Sequence, residues 1–368
     1  MGAYQSTPSA STIEHARNKA IEKKAEWIIT PQQIGLKILV QPDNTDDTNV
    51  DIVAIHGVGA KPQYTWVHRD GNINWLSHPT MLPAALPKAR VMTYNYASHW
   101  FGENAIKQSL SGVANKLLHS LVDERKNCMN RPIILIGHCF GGLVAQEVYN
   151  TAVSLPEDFP GIENSIAGIV FLGTPHRGIP ESSGLRTQGQ IYQAIIEAKV
   201  QVEDGLMQTI AQDNEILVNV VHNFTRKVEI RHDNAPKLFC FYEQKKCRIG
   251  RVIGLEDPLE FVVTESSGTL NGIDKEALPL GHFEMNKFQG FDDDNYKSVL
   301  RQILKMIGSR TILQDQMEVT PNSSSPMALA ARNPSPMTLT ASNLSPMALL
   351  LGEYMTSQNR RIYEVENV

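Results

Sequence analysis

The chain has 368 residues, 42% of them hydrophobic and 20% charged, with a net charge of −5 and its Lys and Arg scattered. That allows one large α/β domain of about 250–300 residues with appendages and gives no basic surface for nucleic acid or an anionic membrane. Four cysteines without C-x-x-C spacing argue against a disulfide framework or a metal site. No apolar leader and no run near the roughly 18 residues that span a bilayer occur, so the expectation is a cytoplasmic protein with no integral membrane segment.

Ser11-Thr12-Ile13-Glu14 has capping-box spacing, and Ile13, Ala16, Ala20, Ile21, Trp27 and Ile28 recur at helical intervals. This predicts an amphipathic helix and linker over 1–34, stopped by Pro31. Strands are predicted at Leu36–Val40, Val50–Ile55, Arg90–Tyr94, Ile133–Ile136, Ile166–Leu172, Lys237–Tyr242 and Leu259–Thr264. Helices are predicted from about 104 to 126, directly after Cys139, and from Asn295 to Ile307. Residues from about 184 to 227 look helical between two strands and are expected to form a cap over the sheet edge. Strands alternating with helices imply a mostly parallel sheet covered on both faces, in a domain over 35–310. Beyond it Ser-Pro-Met recurs at residues 325, 335 and 345. Three short decapeptides cannot build a core of their own, so 311–368 is read as a low-complexity tail without stable structure.

The stretch with most chemical content is Gly137-His138-Cys139-Phe140-Gly141-Gly142. It follows an apolar run and precedes a helical pattern, the strand–turn–helix of a G-x-S-x-G nucleophile elbow with Cys in place of Ser. Glycines allow the tight turn, and a thiol at a helix N-terminus is favoured as thiolate. A lone buried cysteine is ordinarily inert. Here the flanking glycines, the preceding strand and a downstream histidine favour the nucleophile.

The partners are expected in the order nucleophile, acid, histidine. Of eleven histidines, His282 follows the last predicted strand and precedes the closing helix. His138 is read as pointing to the opposite side of the elbow, in a structural role. Glu243 ends the strand after the cap and is the first choice of acid; Asp257 is the alternative. Backbone N–H groups of Phe140 and of the His56-Gly57-Val58-Gly59 loop, at Val58, are expected to form an oxyanion hole. No cofactor and no metal is required by this chemistry.

Asp51–Gly59, Leu82-Pro83, Ala89–Tyr94, Gly137–Val144, Phe171–Gly178 and Phe241-Tyr242-Glu243 together resemble the lipase-like α/β-hydrolases called serine-active-site-containing proteins, of the fungal type and distantly similar to GPI inositol deacylases. The resemblance runs from about 35 to 308 and implies an α/β-hydrolase fold and an acyl-ester hydrolase with a Ser-acid-His triad. Carried over by position, Cys139 takes the place of the serine, Glu243 matches the acid and His282 the histidine. The departure is the nucleophile. A thiolate forms a thioester intermediate, which suits ester, thioester or lactone substrates. A small-molecule acyl substrate, free or on a carrier protein and of secondary-metabolite type, is the leading expectation. Two alternatives stay open: a non-hydrolytic cyclase, condensing or eliminating enzyme on the same scaffold, and an inactive pseudo-hydrolase used for interaction. Oligomeric state is not legible.

Overall fold

The computed structural model describes residues 31–43, 48–58, 60–97, 109–179, 209, 214–247 and 259–318, the side chains of 31 and 309–318 excepted. The N-terminal helix expected before Pro31, the Ser-Pro-Met repeats and Asp257 lie outside these residues. The chain divides into two units, residues 1–314 and 315–368, and the sheet and site described below belong to the first.

Nine strands are described: β1 (Gly35–Val40), β2 (Val50–Ile55), β3 (Val67–His68), β4 (Ile73–Asn74), β5 (Ala89–Asn95), β6 (Ile133–His138), β7 (Ile166–Leu172), β8 (Lys237–Glu243) and β9 (Lys275–Leu278). Four long helices are α1 (Leu110–Glu124), α2 (Phe140–Ser154), α3 (Glu215–Arg231) and α4 (Asp294–Glu318). Seven strands form one sheet in the order β1-β5-β2-β6-β7-β8-β9, and β3 pairs with β4 beside it. Only β1 runs antiparallel, against β5; every other pair in the large sheet is parallel. Every residue of β2, β6 and β7 is buried, as strands covered on both faces require, which is why they read as near-continuous apolar runs.

Alternation along the strands divides the core in two. Val53 and Ile55 of β2, Leu135 of β6 and Phe171 of β7 pack with α1, α2 and α3. Ile52, Ala54, Ile136 and Val170 face the other way, against Val299, Ile303 and Met306 of α4 and the 62–86 segment with Trp66 and Trp75. Capping fixes two helix starts: Ser109 Oγ accepts from Gly112 N at 3.1 Å, and Asn214 Oδ1 accepts from Ile216 N at 2.9 Å and Leu217 N at 3.3 Å.

Three expectations change. The last strand is Lys275–Leu278, while Leu259–Thr264 is an irregular segment with one isolated β-bridge, Cys247 to Glu260. Apolar content misled there: Val262 and Val263 are buried, but against the end of β8 instead of within the sheet. Of the span read as a cap, 209 and 214–227 are described, and 214–227 lead into or lie in α3. That helix packs on α2 through Leu217, Val220 and Phe224, with Asn150 Nδ2 donating to Val220 O at 2.9 Å. The closing helix runs on to Glu318, past the residue 307 read from its apolar spacing.

At the opposite end of the strands from the loops that follow them, Asp51 is fully buried. Arg90 grips it twice, Nε to Oδ1 at 2.8 Å and Nη2 to Oδ2 at 2.9 Å. Arg125 donates to Oδ2, and Arg131 Nη1 to Oδ1 at 3.3 Å. Arg90 also meets Glu124 at 2.9 Å. One carboxylate thus ties β2, β5, α1 and the loop before β6 together.

Candidate active site

The parallel register brings several loops to one edge. Ile55 lies beside Gly137, His138 beside Leu172, Leu172 beside Phe241 and Glu243 beside Leu278. The residues just beyond these ends, among them His56, Cys139 and Gly173, therefore emerge together, as expected of ligand sites on such sheets.

Cys139 sits between β6 and α2 with φ +54° and ψ −125°, a left-handed conformation that a non-glycine residue holds only when its surroundings enforce it. Its N–H donates to Leu172 O at 2.9 Å, and its carbonyl accepts from Gly142 N at 3.1 Å. A Cβ on Gly141 would run into the Ile55 carbonyl oxygen, and one on Gly137 into the backbone of Gly142. The two glycines let α2 start against the end of β2, leaving residue 139 at the helix N-terminus with only 7% of its surface exposed.

Glu243 ends β8, and its two oxygens have separate duties. Oε1 accepts from Val262 N at 2.6 Å and Val263 N at 3.1 Å; Oε2 accepts from His282 Nδ1 at 2.7 Å. The segment that failed to form a strand is what holds this carboxylate. His282 is 1% exposed. Its Nε2 is buried with no hydrogen-bond partner among the described residues, and Cys139 is the sulfur whose charge acts on the ring. Burial favours the neutral imidazole, but the Glu243 carboxylate and the Cys139 sulfur outweigh it and raise the His282 pKa to about 10.

That shift has a sign in stability. A histidine raised from 6.5 to about 10 keeps, in the folded chain, a proton that the unfolded chain releases. Its contribution is full below the unfolded value and is lost as pH rises through the folded one. Lys287, which burial first and then Arg69 lower to about 8, acts in the opposite direction above that pH. The urea midpoint is therefore expected to fall between pH 6.5 and 8, and Glu243→Gln should flatten that slope; equal slopes in the two proteins would contradict the ion pair.

Val58 and Phe140 flank the thiol from two loops. A Cβ on Gly57 would stand 2.8 Å from the Cβ of Cys139 and 3.4 Å from its Sγ, so the loop after β2 passes directly over Cys139. Among the described residues no backbone or side-chain acceptor takes the N–H of Val58 or of Phe140. The loop is held by His56, whose Nε2 accepts from Tyr96 N at 3.2 Å, leaving Nδ1–H to donate to Gly57 O at 2.8 Å. Tyr96 stacks on that ring at 4.3 Å and donates its hydroxyl to His56 O at 2.9 Å.

His138 differs from expectation. It does not turn away from the site: its Nε2 donates to the carbonyl of His282 at 2.9 Å, and the two rings lie 5.1 Å apart. Strand alternation sends neighbours to opposite faces, but the positive φ at Cys139 breaks that alternation, and both residues reach His282. His176 and Cys240 form a separate buried pair, Sγ to Nε2 at 4.0 Å, with Gln146 Nε2 donating to His176 Nδ1 at 3.0 Å. Burial pushes the Cys240 thiol up to about 11 and, with Arg177, the His176 imidazole down to about 3, so both stay neutral. Among the described residues no cluster of three or more His, Cys, Asp or Glu side chains could hold a metal ion, and no helix is long and apolar enough to cross a membrane.

Residues 52–216 match the family described as the alpha/beta hydrolase family. Among curated proteins the chain is 22% identical to Protein SERAC1 of Danio rerio over 328 residues, covering 83% of this chain and 46% of that one. It is also 22% identical to Protein SERAC1 of Homo sapiens over 321 residues, covering 82% and 46%. The chain thus spans about half the length of the curated relatives it matches. Among solved structures, an inhibited esterase B from Lactobacillus rhamnosis covers 84% of this chain and 99% of its own, at 14% identity and a TM-score of 0.43. With its parallel sheet, its strand–turn–helix at Cys139 and a match to the alpha/beta hydrolase family model running from β2 into α3, the chain has the α/β-hydrolase fold.

Proposed function

We propose that the protein is an acyl hydrolase working through a covalent thioester, with the catalytic domain over 35–310. Cys139 is the nucleophile, His282 the acid–base and Glu243 the residue that orients it. The observation that carries this reading is the buried His282–Glu243 pair at the carboxyl ends of the strands, with the strained elbow of Cys139 emerging at the same edge and its sulfur acting on the His282 ring.

In the first half-reaction Sγ bonds to the substrate carbonyl carbon while His282, already protonated, holds the proton on Nε2. The oxyanion takes the N–H groups of Phe140 and Val58. The bond from carbon to the leaving oxygen or sulfur then breaks, and the imidazolium gives its proton to that leaving group. In the second, water loses a proton to Nε2 and attacks the thioester, and the acid departs as the bond to Sγ breaks, with the proton kept on His282 as at the start. Glu243 fixes the Nδ1–H tautomer throughout and stabilises the imidazolium. A tetrahedral adduct expels a thiolate more readily than an alkoxide, so among esters, thioesters and lactones the thioesters and activated lactones are the favoured substrates, small or carried on a carrier protein.

The test is labelling with iodoacetamide and with an activated thioester, followed by peptide mass spectrometry. Cys139 is expected to react first with both, and the thioester to leave an acyl group on Cys139 that turns over. Labelling of Cys128, Cys240 or Cys247 at an equal rate would sink the proposal.

A further inference from the structure

We infer that His138 is a positioning residue for His282, clamping the main chain of the acid–base to the same strand end that carries the nucleophile. The inference rests on the functional reading above and goes beyond its three residues. His282 lies on a loop, four residues past the end of β9, and loops hold geometry poorly unless tied. Its ring is held by Glu243 from β8. Its backbone carbonyl accepts the His138 Nε2 proton at 2.9 Å, across 144 positions of sequence. The neighbouring ties on this loop act elsewhere along it: Gln244 N donates to Leu280 O at 3.2 Å, Trp75 Nε1 to Asn286 O at 3.0 Å, and Asn286 Nδ2 to Thr65 O at 2.5 Å. The bond from His138 is the one made to the carbonyl of the acid–base itself.

The direction of this bond is fixed by chemistry. A carbonyl oxygen only accepts, so His138 Nε2 carries the hydrogen. Burial, and next the charge on His282, keep His138 well below the usual histidine range, with Lys287 and His56 adding to the effect. It is therefore neutral, with Nδ1 bare, and brings no second positive charge beside the imidazolium. Because His138 immediately precedes Cys139, any shift of the elbow moves the nucleophile and the carbonyl of the acid–base together. The distance between Sγ and Nε2 is preserved where two independent loops would drift. A misplacement of about 1 Å at such a pair can cost on the order of 100-fold in rate.

The experiment uses the full chain labelled with ¹⁵N-histidine. In the wild type His138 must show a protonated Nε2 and a bare Nδ1; the opposite tautomer overturns the inference. His138→Phe keeps the ring packing and removes the donor, while His138→Gln offers an amide N–H in its place. The Phe variant is expected to lower kcat on a thioester by about 10–100-fold with KM within about twofold. It should also broaden the Nδ1 proton that His282 shares with Glu243. The Gln variant should recover most of both. If the Phe variant keeps the rate and the Nδ1 signal, or if both variants lose them equally, His138 is only a packing residue and the inference is wrong. The tautomer and Nδ1 readouts need no turnover, so a chain that fails to acylate Cys139 would overturn the proposed function while leaving the His138 measurement decisive.

Discussion

Cys139→Ala and His282→Ala are each expected to lower thioester hydrolysis by at least about 10³-fold, and the double variant by no more than the worse single one. The reason lies in the shared proton. Without Sγ no acyl-enzyme forms for the imidazole to serve, and without the imidazole the sulfur loses the partner that holds the proton, so removing the second partner removes nothing further. Additive losses would mean that the two residues act separately and would count against a triad. Glu243→Gln should fall in between, because an amide oxygen can still accept from Val262 N and Val263 N. What it loses is the negative charge that leads the groups raising His282. Cys139→Ser separates scaffold from nucleophile: a hydroxyl offers His282 no comparable negative partner, so the imidazole titrates lower and is available as a base. Any ester hydrolysis by that variant should then rise with pH through the lowered His282 pKa, where the cysteine enzyme is expected to be nearly flat. The same profile for both proteins would mean that the sulfur does not act on His282.

How far such a site can be read from sequence depends on how local its parts are. The elbow is local: Gly137, Cys139 and Gly141 lie within five residues and carry their own signature. The central strands β2, β6 and β7 are legible because burial on both faces forces apolar runs. Glu243 and His282 were chosen through their places after strands, although one of those strands was misassigned. β9 reads Lys-Glu-Ala-Leu, an edge strand with exposed positions and no apolar run to mark it. The Val262 and Val263 amides that hold Glu243, and the His138 proton on the His282 carbonyl, are long-range pairings that no spacing rule encodes. Asp51 is the plainest case. Nothing near it within Val50–Ile55 marks its role, because its three arginines lie 39, 74 and 80 residues away.

That buried carboxylate should dominate the stability of the domain's far end. Asp51→Asn keeps the size and some hydrogen bonds but leaves three guanidiniums facing one another with only the half-exposed Glu124 nearby. Removing one member of a buried charge network costs about 3–5 kcal/mol, because the remaining charges stay desolvated and unpaired. Measured against a total stability of about 5–15 kcal/mol, that is enough to unfold a marginal domain near 37 °C. The surface pair Lys126–Asp123, 3.0 Å apart but 69% and 72% exposed, provides the contrast. Asp123→Asn should shift stability by less than about 1 kcal/mol, since solvent and salt screen such pairs. Chemical denaturation at pH 7 decides between the two. Because Asp51 sits at the end of the sheet away from Cys139, the Asn variant should, while folded, acylate Cys139 at the wild-type rate. A variant as stable as wild type would mean that the arginines are solvated and the cluster ties nothing together.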